Sequence, residues 1–184
     1  MAGTIRTSRD RWVTEGLHAL ATGGPDAVRI ESLAKALGVT KGGFYGYFAD
    51  RDALLTAMLD TWERESTDEV LERVEREGGD AKAKLRRAGL LTFSSDRLLP
   101  IDLAIRDWAR RDEQVAARLR RVDNRRMTLL RTMIGTFCAD AEEVEARSLM
   151  AFCLAIGEHF LAADHGQRSR AEVLARAADI LFDQ

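Results

Sequence analysis

The sequence predicts an all-α chain in two parts, and three observations carry that prediction. Apolar residues recur at helical spacing in nearly every segment, and no stretch alternates strictly with period two. Proline is almost absent, with 2 in 184 residues, whereas a β-sandwich or barrel of this size needs many turns. Hydrophobic residues make up 46% and charged residues 32%, enough to build a core and too apolar for a disordered chain.

The elements follow in order. A first helix is expected from about Thr7 to Thr22, with Trp12, Val13, Leu17, Leu20 and Ala21 on one stripe and Gly23-Gly24-Pro25 ending it. Two short helices come next, Ile30 to Leu37 and one ending at Phe48, joined by Gly38-Val39-Thr40. Asp50 is placed to cap a long helix whose stripe of Leu54, Leu55, Met58, Leu59, Trp62, Val70 and Val74 continues to Glu77 before Gly78-Gly79. At 1.5 Å per residue that helix is about 40 Å long. Five further helices are expected. One is capped by Asp80 and runs to Phe93; another starts near Pro100 with Ile101, Ile105 and Trp108; a third runs from Glu113 through Asn124 to Phe137. Asp140-Ala-Glu-Glu143 and Ser169-Arg-Ala-Glu172 are capping-box patterns, opening helices to about Asp164 and to Leu181. The total is about nine helices.

Charge and cysteine usage narrow the function. The chain is not a polybasic binder, since 28 basic residues face 30 acidic ones. Residues 1–48 nevertheless hold Arg6, Arg9, Arg11, Arg29, Lys35 and Lys41 against Asp10, Glu15, Asp26 and Glu31, a net of +2 in a chain of net −2. A slightly basic head on an acidic body fits contact with a polyanion at one end. Cys138 and Cys153 make neither a disulfide framework nor a metal knuckle and are expected to be inert core thiols. The start carries no apolar signal region, and the longest apolar run, Leu149 to Ile156, is too short to span a bilayer, so a cytoplasmic protein is expected. His18 and His159 read first as structural residues. No catalytic residue, no metal and no cofactor is expected: the sequence has no G-x-S-x-G, no G-x-G-x-x-G and no P-loop order around TKGGFYG.

The informative stretch is Ile30 to Leu55, IESLAKALGVTKGGFYGYFADRDALL. Leu33 and Leu37 share a face; Ala34 is small where a second helix must cross; Gly38 suits a turn with positive φ. Val39 plugs the corner, Thr40 can cap the second helix through its hydroxyl, and Phe44 and Phe48 face the core. Lys41, Gly42, Gly43, Tyr45, Gly46 and Tyr47 are left on the outside. This is a helix-turn-helix, with its motif at about 29–48, whose second helix presents a cation, two phenols and bare backbone.

In these residues the stretch resembles the DNA-binding domain of the TetR family of bacterial transcriptional regulators. The agreement is in register at Ile30, Leu33, Ala34, Gly38, Val39, Thr40, Gly42, Tyr45, Tyr47, Phe48 and Leu54, and covers about residues 8–58. Gly43, Gly46 and Arg51 depart from the family pattern, and the two glycines leave fewer side chains to read bases. The segment AIRDWARRD with VDNRR downstream is similar to a common subtype of the family's C-terminal domain and names no ligand. The resemblance implies that Thr40, Tyr45, Tyr47 and Arg51 contact phosphates, with Tyr47 alternatively propping the helix. Lys41 would reach a guanine edge or a phosphate, Arg29 a phosphate, and the backbone at Gly42-Gly43 would pack in the groove.

The expected domains are then 1–48, a three-helix DNA-binding domain, and 49–184, a helical effector-binding and dimerisation domain. The resemblance implies a homodimer and a body that binds a small molecule. Leu149, Phe152, Ile156 and Phe160, facing Val173, Leu174, Ala177 and Leu181, are the expected dimer seam. An effector pocket is expected among Trp62, Phe93, Trp108, Asn124, Met127, Phe152 and His159. The function expected is a regulator, with repression of a near-palindromic operator relieved by an effector. The rival readings are an effector-independent DNA-binding or architectural protein, whose body should pack solid, and an enzyme built on the body.

Overall fold

The computed structural model describes residues 7–182; Arg6, counted among the basic residues of the head, lies outside them. Among the described residues there are nine α-helices, one 3₁₀ turn and no strand. The chain forms two compact units. The first comprises Met1–Glu69 and Ser95–Val122, the second Val70–Ser94 and Asp123–Gln184.

In the first unit, α1 (Arg9–Gly23) starts where the Ser8 hydroxyl accepts the Arg11 N–H and ends at Gly24, whose N–H returns to the Leu20 carbonyl. Pro25 then opens the 3₁₀ turn Pro25–Ala27. Of the expected stripe, Trp12, Val13, Leu17 and Leu20 are buried and Ala21 is half-buried. α1 crosses the long helix α4 (Arg51–Glu77) at Gly16, where a Cβ would stand 2.6 Å from the Met58 sulfur. The Asp50 carboxylate caps α4 through the Ala53 N–H at 2.8 Å. α6 (Leu98–Ala109) packs along α1 and buries Ile101, Ile105 and Trp108. Asp102 on α6 is also buried, and accepts the Trp62 indole N–H at 3.2 Å and the Arg106 Nε at 2.8 Å. A carboxylate out of water needs such donors, so these bonds fix α6 against α4. Part of the expected body thus shares a compact unit with the three head helices. Asp112, unmarked in the sequence reading, caps α7 (Glu113–Ile134) through the Gln114 and Val115 N–H groups.

The second unit holds α5 (Ala81–Phe93), α8 (Ala141–Gly157) and α9 (Arg170–Phe182), with the ends of α4 and α7. Its core is Val70, Val74, Leu85, Met133, Ile134, Cys138 and Phe182. The expected caps are present at Asp80, which accepts the Ala83 N–H, and at Asp140, which accepts those of Glu142 and Glu143. Ser169 and Glu172 form the reciprocal box: the Glu172 carboxylate accepts the Ser169 N–H at 2.7 Å and the Ser169 hydroxyl accepts the Glu172 N–H at 3.2 Å. The Ser169 donors hold the Glu172 carboxyl below its usual range.

Some boundaries differ from expectation for physical reasons. α8 ends at Gly157 rather than near Asp164, because Arg170 draws the carbonyls of Glu158, Leu161 and Ala163 onto its guanidinium and turns the chain. α7 ends at Ile134 rather than Phe137, where the chain tightens into i→i−3 bonds from Thr136 and Phe137. Cys138 is a core thiol, but Cys153 is exposed on α8 and corrects the expectation that both are buried. No helix of the described residues is long and apolar enough to cross a membrane.

Candidate nucleic-acid interface

α2 (Ile30–Leu37) buries Leu33, Ala34 and Leu37 and stops at Gly38, which lies in the left-handed region at φ 69°, ψ 29°. The Val39 N–H returns to the Ala34 carbonyl, and the chain re-enters helix after Thr40. α3 is only Lys41–Phe44, followed by a turn over 45–47 that closes with Tyr47 and Phe48 N–H bonds to the Phe44 carbonyl. The expected helix to Phe48 is therefore one turn shorter, since Gly42, Gly43 and Gly46 each weaken helix by roughly 1 kcal/mol against alanine. Aromatic packing holds the segment instead. Phe44 meets Trp12 edge-on at 5.3 Å and stacks on Phe48 at 5.3 Å, with Arg9 above the Phe48 ring.

The expected DNA-facing residues divide into two sets. Tyr45 is 53% exposed, edge-on to Phe44, and stands outward. Thr40 is exposed and its hydroxyl makes no cap bond, against the expectation that it would cap α3. Gly42 and Gly43 leave backbone at the surface, and Arg29 is exposed with its Nε on the Asp26 carbonyl at 3.1 Å. Two residues instead donate to carbonyls of the head. The Tyr47 hydroxyl donates to the Thr7 carbonyl and so props the head. Arg51 donates from Nε to the Val28 carbonyl at 2.7 Å and from Nη2 to the Pro25 carbonyl. Its guanidinium fixes the chain that enters α2.

Lys41 donates to the Glu31 carboxylate, joining α3 to α2. This hydrogen bond holds the ammonium above its usual range and the carboxyl below its own. Glu31 was missed in the sequence because ten positions separate the pair, and only the crossing of the two helices brings them together.

The residues expected to line one pocket are divided between the two units. Trp62 and Trp108 are packed in the first unit's core. Phe93 and Phe152 belong to the second unit, edge-to-face at 6.1 Å, with the Arg126 guanidinium 5.3 Å above Phe93. Met127 is half-buried, and His159 stands 3.7 Å from the Glu158 carboxylate. The second unit instead has a cleft of about 750 Å³, where Asn124 alone of the seven is found; Leu71, Glu75, Lys84, Thr128 and Met133 are among its walls. In the expected dimer seam, Leu149 and Phe160 are exposed, Phe152, Ile156, Val173, Leu174, Ala177 and Leu181 are half-buried, and the one buried residue of α8 is Ser148.

Residues 14–58 match the family model described as bacterial regulatory proteins, tetR family. No curated protein matches the chain. Solved structures do. A transcriptional regulator from Saccharomonospora viridis, in complex with choline, is 15% identical over 96% of this chain and 95% of its own, at TM-score 0.77. FadR of Bacillus subtilis, in complex with stearoyl-CoA, is 16% identical over 96% and 98%, at TM-score 0.67. AibR, in complex with isovaleryl coenzyme A and operator DNA, is 15% identical over 95% and 98%, at TM-score 0.65. At these identities the likeness is one of fold. Residues 14–58 thus match the tetR-family domain that holds the helix-turn-helix, and the chain as a whole shares the all-helical fold of these structures.

Proposed function

We propose that the chain binds a near-palindromic operator as a homodimer and responds to a small molecule taken up by its second unit, in the cytoplasm. The observation that carries the DNA contact is the head itself: a helix-turn-helix whose outward surface offers Thr40, Lys41, Tyr45 and the backbone of Gly42-Gly43. Phosphates would pair with the Tyr45 and Thr40 hydroxyls and with Arg29, fixing the register of the head on the duplex. Tyr47 and Arg51 hold that surface in shape from behind. Residues 1–48 are the DNA-binding part in this reading and 49–184 the responsive and dimerising part.

The homodimer is supported by α8, the turn that follows it and α9, where Leu149, Met150, Phe160, Leu161 and Ile180 stay exposed. A monomer seldom leaves so much apolar surface in one region, and two copies would cover it as a four-helix bundle. The effector reading is supported by the cleft, which is open to solvent in the second unit, and by solved structures of the same fold in complex with choline or stearoyl-CoA. The ligand would favour one of two conformations by its differential affinity, and α4, one continuous helix with residues in both units, would carry the change. Repression relieved by the ligand is the expected sign. The test is a thermal-shift screen of metabolites followed by operator titration. A hit at 100 times its dissociation constant stabilises by about 2.7 kcal/mol. A saturating hit that leaves operator affinity unchanged contradicts the effector reading.

A further inference from the structure

Lys41 is the one charged residue between Val39 and Asp50, and Glu31 holds its ammonium. The two side chains come from different helices, and they stand side by side at the surface, 51% and 66% exposed. Each stabilises the charged form of the other, so both are ionised at neutral pH. Around them α3 is bare. A Cβ built on Gly43 meets no atom within 4 Å, and one on Gly46 comes no nearer than 3.6 Å to the Gly43 carbonyl oxygen. Nothing in the chain's own packing requires glycine there, and their absence of side chains leaves the Lys41–Glu31 pair and Tyr45 standing clear of the surface.

We propose that Glu31 and Lys41 act as one base-reading unit, matched to the major-groove edge of a G·C pair; this rests on the DNA-binding reading above. The ammonium carries donors alone and the carboxylate acceptors alone. Across a G·C pair the major groove presents two adjacent acceptors, guanine N7 and O6, and then a donor, the cytosine N4 amine. Lys41 spans the two acceptors while Glu31 accepts from the amine beside them. An A·T pair presents acceptor, donor, acceptor, and so sets thymine O4 against the carboxylate. Glu31 is thus a specificity-determining residue supplied by α2.

Selection of bound duplexes from a random library tests this with the full-length protein, Glu31→Ala, the isosteric Glu31→Gln and Lys41→Ala. Glu31 is an exposed side chain, and thermal midpoints verify that every variant folds. The wild type is expected to fix a G·C pair at one position of each half-site. Both Glu31 variants relax that position by about tenfold while the preference elsewhere holds. Lys41→Ala relaxes the same position and weakens binding overall. If the Glu31 variants keep the G·C preference and bind all duplexes more tightly, Glu31 merely repels phosphate and the proposal is overturned. A wild-type site with no fixed G·C pair overturns it as well, leaving DNA binding intact. A wild type that enriches no duplex overturns the DNA-binding reading, and this proposal with it.

Discussion

The two units bury their apolar residues to different degrees. In the first, Trp12, Phe44, Leu54, Trp62 and Ile105 have no exposed surface, and even the carboxylate of Asp102 is enclosed with its donors. In the second, α8 is a mostly apolar helix whose one buried residue is Ser148, and Leu149, Phe160 and Ile180 are 54%, 67% and 66% exposed. The first unit satisfies its core within one chain. The second has apolar surface left over, which is the signature of a face that another molecule covers. Stability in this protein should therefore be lodged in the first unit and association in the second.

The sharpest way to break that division is to cut into each side. Trp62→Ala empties the centre of the first core and removes an indole donor from Asp102. It should destabilise by about 3–5 kcal/mol, read as a fall in denaturation midpoint. Phe160→Glu should leave the fold within roughly 0.5 kcal/mol of wild type, as surface changes do. It should nonetheless yield monomers by sedimentation equilibrium, and lower affinity for a two-half-site duplex by about 100-fold or more. A Phe160→Glu protein that remains a full-strength dimer would remove Phe160 from the seam.

Within the head the same contrast separates support from contact. Arg51→Ala removes the guanidinium donors from the Val28 and Pro25 carbonyls, the latter keeping the Val28 N–H, at about 1–3 kcal/mol of stability. Tyr45→Phe should leave stability unchanged and weaken binding to all sequences alike, since a hydroxyl-to-phosphate bond reads no base. Chemical denaturation beside a DNA titration distinguishes the two. An Arg51→Ala protein of wild-type stability but poor binding would return Arg51 to the phosphate contacts.

The smallest expected effect is at Gly43, where a Cβ meets nothing. Gly43→Ala should stabilise the head by roughly 0.5–1 kcal/mol and yet weaken operator binding. A variant both more stable and equally tight would show that the bare backbone serves no approach.

What the sequence made legible follows the range of the interactions. Helices with local signals were read to the residue or nearly so: α2, α4 and α5, together with the caps at Asp50, Asp80, Asp140 and Ser169. Each depends on neighbours within four positions. The errors lie where distant segments meet. Arg51 reaches back to Pro25, Glu31 reaches Lys41, and Arg170 ends the helix before it, none of which a local periodicity encodes. The expected pocket residues are separated by the same long-range packing: Trp62 and Trp108 are core residues of one unit, and Asn124 lies in a cleft of the other.

In the proposed function the head reads DNA as one of a symmetric pair. Selection by the wild-type protein from a random duplex library tests it most directly. A two-fold symmetric site is expected, with half-site centres about 34–36 Å apart, or a multiple of that. Its affinity should fall steeply as salt rises, because several phosphates are neutralised. Recovery of no symmetric site, with binding flat in salt, would contradict it.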